Sequence, residues 1–434
     1  MITRARFFLN TLASVMCVTA MGCTGEGGSL AELPACDPDN GGITLPDGFC
    51  AVVVADTMGP VRHMAVAPNG DLYVMLRDQT DAPGSVLALR DSNGDGKADV
   101  IARFGPSGGT GLALRGDDLY FAPDDAVLRY TLTPGELVPA GPPDTIVKDL
   151  PNVRSHRSKT LAFDETGGMY VNIGSPSNSC QMEDRTSGSR GQDPCPDLET
   201  RAGIWKFDAN RTGQTQADGT RFATGMRNTV ALTMNPLNSK LYAAIHGRDQ
   251  LLQNWPQYYD EEDSAEKPAE EFVQINAGDD FGWPYCYYDP IVGAKLLAPE
   301  YGGDGEKRDR CATKKDPLIG FPGHWAPDGL VFYTGAQFPE RYRGGAFIAF
   351  HGSWNRAPLP QGGYNVVFVP FAGDAPSGPW EIFADGFKGP PELMAREDAV
   401  HRPTGLAVGP DGSLYLSDDQ GGRIWRIMYP GPTP

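Results

Sequence analysis

The chain has 434 residues, a formal net charge of −18, 40% apolar and 21% charged residues, and 54 glycines with 38 prolines. So acidic a balance excludes a general nucleic-acid binder, because phosphate binding needs a broad basic face. Abundant turn formers and the lack of long helix-period stretches argue for an all-β fold.

Arg4 and Arg6 precede an apolar stretch from Phe7 to Met21, too short to span a membrane comfortably and shaped like a secretory signal. Residues 1–22 read as that signal, of lipoprotein type, and residues 23–43 as a flexible exported segment. Ala20-Met21-Gly22-Cys23 resembles a relaxed lipobox, which would place a lipid anchor on Cys23; ordinary secretory cleavage is the alternative. The expected location is the periplasm, a membrane surface facing it, or the outside.

From residue 44 to 430 one unit recurs: an apolar strand, a tight polar turn and a second strand. Its copies are HMAVAPNGDLYVM from His63, GLALRGDDLYFAP from Gly111 and TLAFDETGGMYVNIG from Thr160. Three more are VALTMNPLNSKLYAAIHG from Val230, the looser GLVFYTGAQFPERYRGGAFIAFHG from Gly329, and GLAVGPDGSLYLSDD from Gly405. Asn69-Gly70 and Asp411-Gly412 supply the positive φ that two-residue hairpin turns need. Further alternating runs such as GSVLALRD, GIWKFD and RIWRI follow the copies. Repeated sheets of about 40–50 residues, packed radially, bury what single hairpins cannot. The pattern predicts a six-bladed β-propeller of four-stranded blades, with long insertions after Gly174, Gly247 and Gly352. Its ring closes where FCAVVVAD, Phe49 to Asp56, pairs with the last repeat. The acidic run from Asp260 to Glu271 reads as a solvated loop.

All six histidines, His63, His156, His246, His324, His351 and His401, flank a copy at the same end. If the first strand of each copy is innermost, all six ring one mouth of the axial channel, with Arg62, Arg227, Arg356 and Arg402 at the same level. The plainer reading is that histidines are merely tolerated at loop edges. Beyond Cys17 and Cys23, six cysteines remain, an even count that implies disulfides in an exported chain. Fifteen connectivities are possible, of which nearest-neighbour pairing would staple the N-terminal segment and two insertions. No CxxC pair points to a metal cluster. In DSNGDGKAD, Asp91, Asn93 and Asp95 alternate, Gly96 turns, and the Lys97 carbonyl and Asp99 follow: the oxygen spacing of a Ca²⁺ loop. Ala102 stands where a closing glutamate would be, so a plain polar turn is the other reading.

The stretches SHRSKTLAFDETGGMYVNIGSPSN, FATGMRNTVAL, HGRDQL, GDDFGWPYCY, HGSWNR and RPTGLAVGPDGSLYLSDD, in this order, closely resemble the glucose/sorbosone dehydrogenase family. That likeness covers residues 44 to 429 and implies an exported six-bladed propeller that uses pyrroloquinoline quinone (PQQ) with Ca²⁺ to oxidise a sugar or a related polyol or aldehyde. By the same likeness His156 is the general base that takes the hydroxyl proton. Arg227 stabilises charge on the quinone oxygen as the hydride arrives, with Asn228 beside it. Arg402 holds a cofactor carboxylate, and the backbone carbonyls of Gly247 and Arg248 hold the cofactor's Ca²⁺.

Several positions depart from the glucose-oxidising branch. Ser155 replaces the aspartate before the base, leaving open what orients His156. His246 replaces a glutamine near the cofactor edge. No cofactor-binding lysine has a counterpart, and Arg356 of HGSWNR, a form associated with the sorbosone and pyranose branch, is expected to supply its charge. Trp283 and Trp354 read as blade packing. Two other functions compete: a Ca²⁺-dependent propeller lactonase, which needs a carboxylate cluster at the mouth, and a propeller that binds a carbohydrate or partner without catalysis. The absence of CxxCH means that electrons from a dehydrogenase would leave to a separate acceptor.

Overall fold

The computed structural model describes residues 33–79, 83–153 and 155–432. The expected signal peptide and the Cys23 anchor therefore lie outside the described residues. Chain contacts separate Met1–Leu33 from Pro34–Pro434, and it is the second unit that follows.

Six four-stranded antiparallel sheets form a β-propeller. Blade I is Val61–Val66, Leu72–Leu76, Val86–Arg90 and Val100–Phe104; blade II is Gly111–Arg115, Asp118–Ala122, Val127–Thr131 and Asp144–Val147. Blade III is Leu161–Phe163, Gly168–Ile173, Gly203–Asp208 and Thr220–Thr224; blade IV is Ala231–Asn235, Lys240–Ile245, Glu270–Ile275 and Ile319–Phe321. Blade V is Pro327–Phe332, Ala346–Phe350, Asn365–Val369 and Glu381–Ala384. Blade VI takes Pro403–Val408, Leu414–Asp418 and Ile424–Met428 from the C-terminus and its outermost strand, Cys50–Ala55, from the N-terminal side.

The first strand of each blade is innermost and touches its counterparts around the axis. Glycines allow this approach. A Cβ on Gly405 would stand 2.4 Å from the Arg62 carbonyl oxygen, one on Gly329 2.3 Å from that of Thr404, and one on Gly111 2.6 Å from that of Lys159. Second strands, buried on both faces, carry residues such as Tyr73, Tyr120 and Tyr242 into the layers between blades. The insertions fall where the spacing predicts, and disulfides Cys36–Cys50, Cys180–Cys195 and Cys286–Cys311 fasten the N-terminal segment and two of them. The acidic run is not simply a solvated loop. Asp260 caps a short helix, Glu261–Glu266, and Glu270 opens a blade IV strand with its carboxylate buried, accepting from the Gly247 and Ala326 N–H groups.

Closure is antiparallel, with Cys50 opposite Met428 and Val53 opposite Trp425. Phe49 enters a cluster of rings, edge-on to Phe338, Tyr342 and Phe383 at 4.8–5.2 Å, and Trp425 Nε1 donates to the Gly41 carbonyl at 3.1 Å. Burying one such ring is worth about 1.5–3 kcal/mol, and the strand also covers the edge of Ile424–Met428, which is otherwise a template for intermolecular pairing. Removing the residues before Thr57 is expected to yield an aggregating protein with no cooperative transition, as seen by light scattering and thermal melting. A soluble monomer with a wild-type melt would show that this strand does not close the ring.

Candidate active site

A cavity of about 980 Å³ opens at the axial end where the innermost strands begin. Of the six histidines, His156, His246 and His351 line it, as do Arg62 and Arg402. The complete ring expected from sequence does not form. His63 bonds the Asp328 carbonyl at 2.7 Å, His324 is turned to the Ser264 carbonyl at 3.0 Å, and His401 is tied to Asp418 at 2.6 Å and packed edge-on against Trp425.

His156 sits at φ +49 in the loop before blade III, in left-handed backbone that costs a non-glycine residue energy and collects at functional sites. Its Nδ1 lies 2.8 Å from the Ser175 carbonyl oxygen and 3.0 Å from the Ser175 hydroxyl. The carbonyl can only accept, so Nδ1 carries the proton and Nε2 is left bare. Burial, aided by the Arg227 charge, holds the imidazole well below the usual histidine range. Ser175 thus supplies the orientation that the missing aspartate before His156 left open. The Ser175 N–H in turn donates to the Arg227 carbonyl at 2.8 Å, so His156 and Arg227 share one support.

His246 behaves oppositely. Burial works against its charge, yet the Asp328 carboxylate, 3.2 Å from Nε2, prevails and raises its pKa. Asp328 and Asp419 both hold Arg62, at 3.1 and 2.6 Å, and Asp419 also receives His351 Nε2 at 2.5 Å. Although burial pushes upward, the surrounding cations keep both carboxyls well below the usual carboxylate range. Sequence reasoning missed these carboxylates and Asp249. Each lies in a different repeat with no shared spacing, so no pattern marked them. They do not form a metal cage, because each is spent on arginine. Among the described residues, three potential metal-ligand side chains converge only at Cys180, Cys195 and Asp197, where both sulfurs are in a disulfide.

Arg402 differs from its neighbours. Its guanidinium donates to the carbonyls of His351, at 3.1 Å, and Gly352, at 2.6 Å, and among the described residues no carboxylate lies within 4.0 Å. Arg227 stands just behind the wall. It is held by both oxygens of Asn178 at 3.0–3.2 Å, the Gly247 carbonyl at 2.8 Å and Asp249 at 2.8 Å. Asn228 lines the cavity, and its buried Oδ1 has no hydrogen-bond partner. Arg248 is buried against Glu300 at 2.5 Å. Arg185, which sequence reasoning also missed, reaches Asp249 at 2.8 Å from the cavity wall.

Two expected groups are placed elsewhere. Arg356 does not reach the cavity, because its guanidinium is drawn to Glu266 and to the carbonyls of Ala265 and Gly323. In the 91–99 loop, Asp91 accepts from the Gly94 and Gly96 N–H groups at 2.7 Å, Asp95 from Lys97 at 2.8 Å, and Asp99 from the Ser92 N–H at 3.0 Å; Asn93 caps Asp95 at 2.9 Å. Those carboxylates are satisfied by the loop's own backbone and do not gather round one point. Trp283 is buried as expected and donates to the Asn178 carbonyl, whereas Trp354 is 42% exposed on the cavity wall and is not blade packing.

The close fit behind His156 gives a prediction. A Cβ on Gly174 would stand 2.5 Å from both Cβ and O of His156. Gly174→Ala is expected to displace that loop and cost about 1–3 kcal/mol of stability, as overpacking does, measured by denaturant unfolding of the protein without ligand. An unchanged midpoint would show that the loop yields freely.

With this geometry in view, a family model described as TrAA12-like matches residues 43–430. A pyrroloquinoline quinone-dependent sugar dehydrogenase of Hypocrea jecorina (strain QM6a) is 23% identical over 459 residues, covering 98% of this chain and 97% of that one. An uncharacterized protein of Borreliella burgdorferi is 30% identical over 210 residues, and the match spans about half of each chain, 48% in both. The calcium structure of the Trichoderma reesei Carbohydrate-Active Enzymes Family AA12 protein superposes with a TM-score of 0.72 at 20% identity, over 89% of this chain and 97% of that one. Fold, repeat order and a match over nearly the whole propeller agree: the chain belongs to the TrAA12-like family.

Proposed function

We propose that this protein is a dehydrogenase that oxidises a sugar, or a related polyol or aldehyde, with PQQ and Ca²⁺, and that His156 is its general base. One observation carries the reading: an imidazole with a bare Nε2 and a guanidinium without a carboxylate share one large cavity. The Hypocrea relative, named for PQQ and sugar, supports the cofactor and substrate class. The calcium-bound Trichoderma structure supports the metal.

The residues suit a tricarboxylate quinone. Arg402 has a positive charge to spare for a carboxylate, and Asn228 lines the same wall. These two, with His246, would hold PQQ, and Arg227, just behind the wall, would contribute its charge. The Gly247 and Arg248 carbonyls would hold Ca²⁺, with the Gly247 oxygen shared with the Arg227 guanidinium. When bound, the cofactor supplies a quinone that accepts a hydride from the sugar's C–H bond. His156 Nε2 takes the hydroxyl proton, and the Ser175 carbonyl stabilises the imidazolium through Nδ1–H. His246, pushed toward its charged form by Asp328, and the fixed guanidinium of Arg227 favour negative charge developing at this wall without reorganising during the reaction. Electrons leave to a separate acceptor, and the three disulfides suit an exported protein.

Adding PQQ and Ca²⁺ to the apoprotein is expected to give a quinone absorbance that bleaches with an aldose, with turnover sustained by a dye acceptor. His156→Ala should lower kcat by roughly 10²–10⁴ while PQQ still binds; near wild-type turnover would remove His156 from the chemistry. Arg402→Ala should raise the PQQ concentration needed for reconstitution, and an unchanged requirement would contradict its role. The pH profile follows from the base. Its depressed pKa leaves Nε2 bare at neutrality, so kcat should stay level down to pH ~6.5 and fall only in more acid solution. A midpoint at or above that value would mean that another group is titrating.

A further inference from the structure

Among the described residues, the segment between Leu150 and Lys159 makes no backbone–backbone hydrogen bond. His156 lies within it, so side chains must hold the base in place. Asn172 Nδ2 donates to the Ser158 carbonyl at 3.1 Å, and the Thr110 and Ser158 hydroxyls meet at 2.9 Å. The largest hold is Lys159. Its side chain is 1% exposed, and Nζ donates to the Pro151 carbonyl at 3.0 Å and the Arg157 carbonyl at 2.6 Å, one on each side of His156. No carboxylate among the described residues comes within 4.0 Å of it, and the nearby Asp124 pairs with Arg157 at 3.0 Å.

A buried ammonium without a counter-ion is costly, and a methionine would fill the same space without that penalty. What the lysine provides is two charged hydrogen bonds that join the ends of the loop. Its backbone is anchored independently, since the Lys159 carbonyl accepts from the Gly111 N–H at 2.8 Å and the Thr160 hydroxyl donates to Asn172 at 2.9 Å. The clamp therefore stands on the rigid inner strand of blade III and pulls on the loop ahead of it.

We infer that Lys159 is a positioning residue: its ammonium closes the loop that carries His156 and so fixes where Nε2 is presented. The inference rests on the proposed role of His156 as base. Burial, opposed by Asp124 and Asp125 and reinforced by Arg201, brings the Lys159 pKa down to about 8. Arg157, paired with Asp124, also faces it. The clamp is charged below that pH and weakens as pH rises through it. Stability moves the other way. Between pH 8 and the lysine's unfolded value near ~10.5 the unfolded chain binds more protons at this position, so the contribution of this group to folding rises with pH. Loss of turnover without loss of stability separates positioning from unfolding.

The test uses the full chain with ¹⁵N-labelled histidine, first without ligand. Wild-type His156 is expected as the single Nδ1–H tautomer at pH 7, drifting toward a mixture with a midpoint near pH 8; Lys159→Met should show the mixture at all pH values. With PQQ and Ca²⁺ loaded, Lys159→Met should lose up to ~10²-fold in kcat, the cost of misplacing a catalytic group by about an ångström, with KM and PQQ affinity nearly unchanged. Lys159→Gln, which keeps an N–H donor but no charge, should recover part of kcat and lack the alkaline fall of the wild type. An unchanged His156 tautomer in Lys159→Met, or an alkaline fall that persists in Lys159→Gln, overturns the inference. Should Lys159→Met not fold, Lys159→Gln and the wild-type titration still decide it. If wild type oxidises no sugar, the proposed function fails alone, because the readout on the unloaded protein does not depend on it.

Discussion

Around the axis the innermost strands meet backbone to backbone, and everything at the mouth depends on that approach. Where Gly405 faces the Arg62 carbonyl and Gly329 faces that of Thr404, any side chain would force blades apart. The Ser417 hydroxyl donates to the Arg62 carbonyl at 2.7 Å and accepts from the Gly405 N–H at 2.8 Å, so blades VI and I are tied at one level. Residues just ahead of this level, Arg62 and Arg402, must project into the same space. A convergent site thus arises from strands far apart in sequence, and the loops need only refine it.

Bringing several arginines together in a buried space demands compensation. Asp328 and Asp419 provide it for Arg62, and Asp249 for Arg227 and Arg185. Removing one partner from such a network leaves the other charged and buried, at a cost of about 3–5 kcal/mol. Arg402, outside this compensation, is where the wall retains an uncommitted charge. Burial and these charges together sort the histidines. His246, beside Asp328, is pushed toward the charged form, and His156, buried beside Arg227, toward the neutral one. Opposed shifts across one cavity are how a single fold keeps a base and a cation at the same pH.

The propeller was legible because hairpin turns and period-2 alternation are local properties. Asn69-Gly70 and the strands around it carry their conformation in adjacent residues, and closure by Cys50–Ala55 follows from having one strand too few in the last repeat. The site was legible only in part. His156, Asn228 and Arg402 occupy fixed places in the repeat or in family motifs, whereas Asp249, Asp328 and Asp419 act through space across blades and look like ordinary loop aspartates in the chain. Arg356 shows the converse failure. Its motif put it near the mouth, but Glu266, from a helix in a different insertion, draws it away. The 91–99 loop had the spacing of an ion site, and its own N–H groups claim the carboxylates first.

The features that break local rules are concentrated in one stretch. His156 takes left-handed backbone, Lys159 buries an ammonium, and the chain between them forgoes backbone hydrogen bonds, while the strand that begins at Leu161 is ordinary in every respect. Proteins accept such local cost where geometry matters more than stability. A regular strand could not present a bare Nε2 to the axis, because strand side chains alternate between blade faces and point at the neighbouring blades. Breaking the backbone pattern before blade III turns the ring into the cavity, and the Ser175 carbonyl, the missing side chain of Gly174 and the Lys159 ammonium are the means by which the irregular loop keeps a single shape.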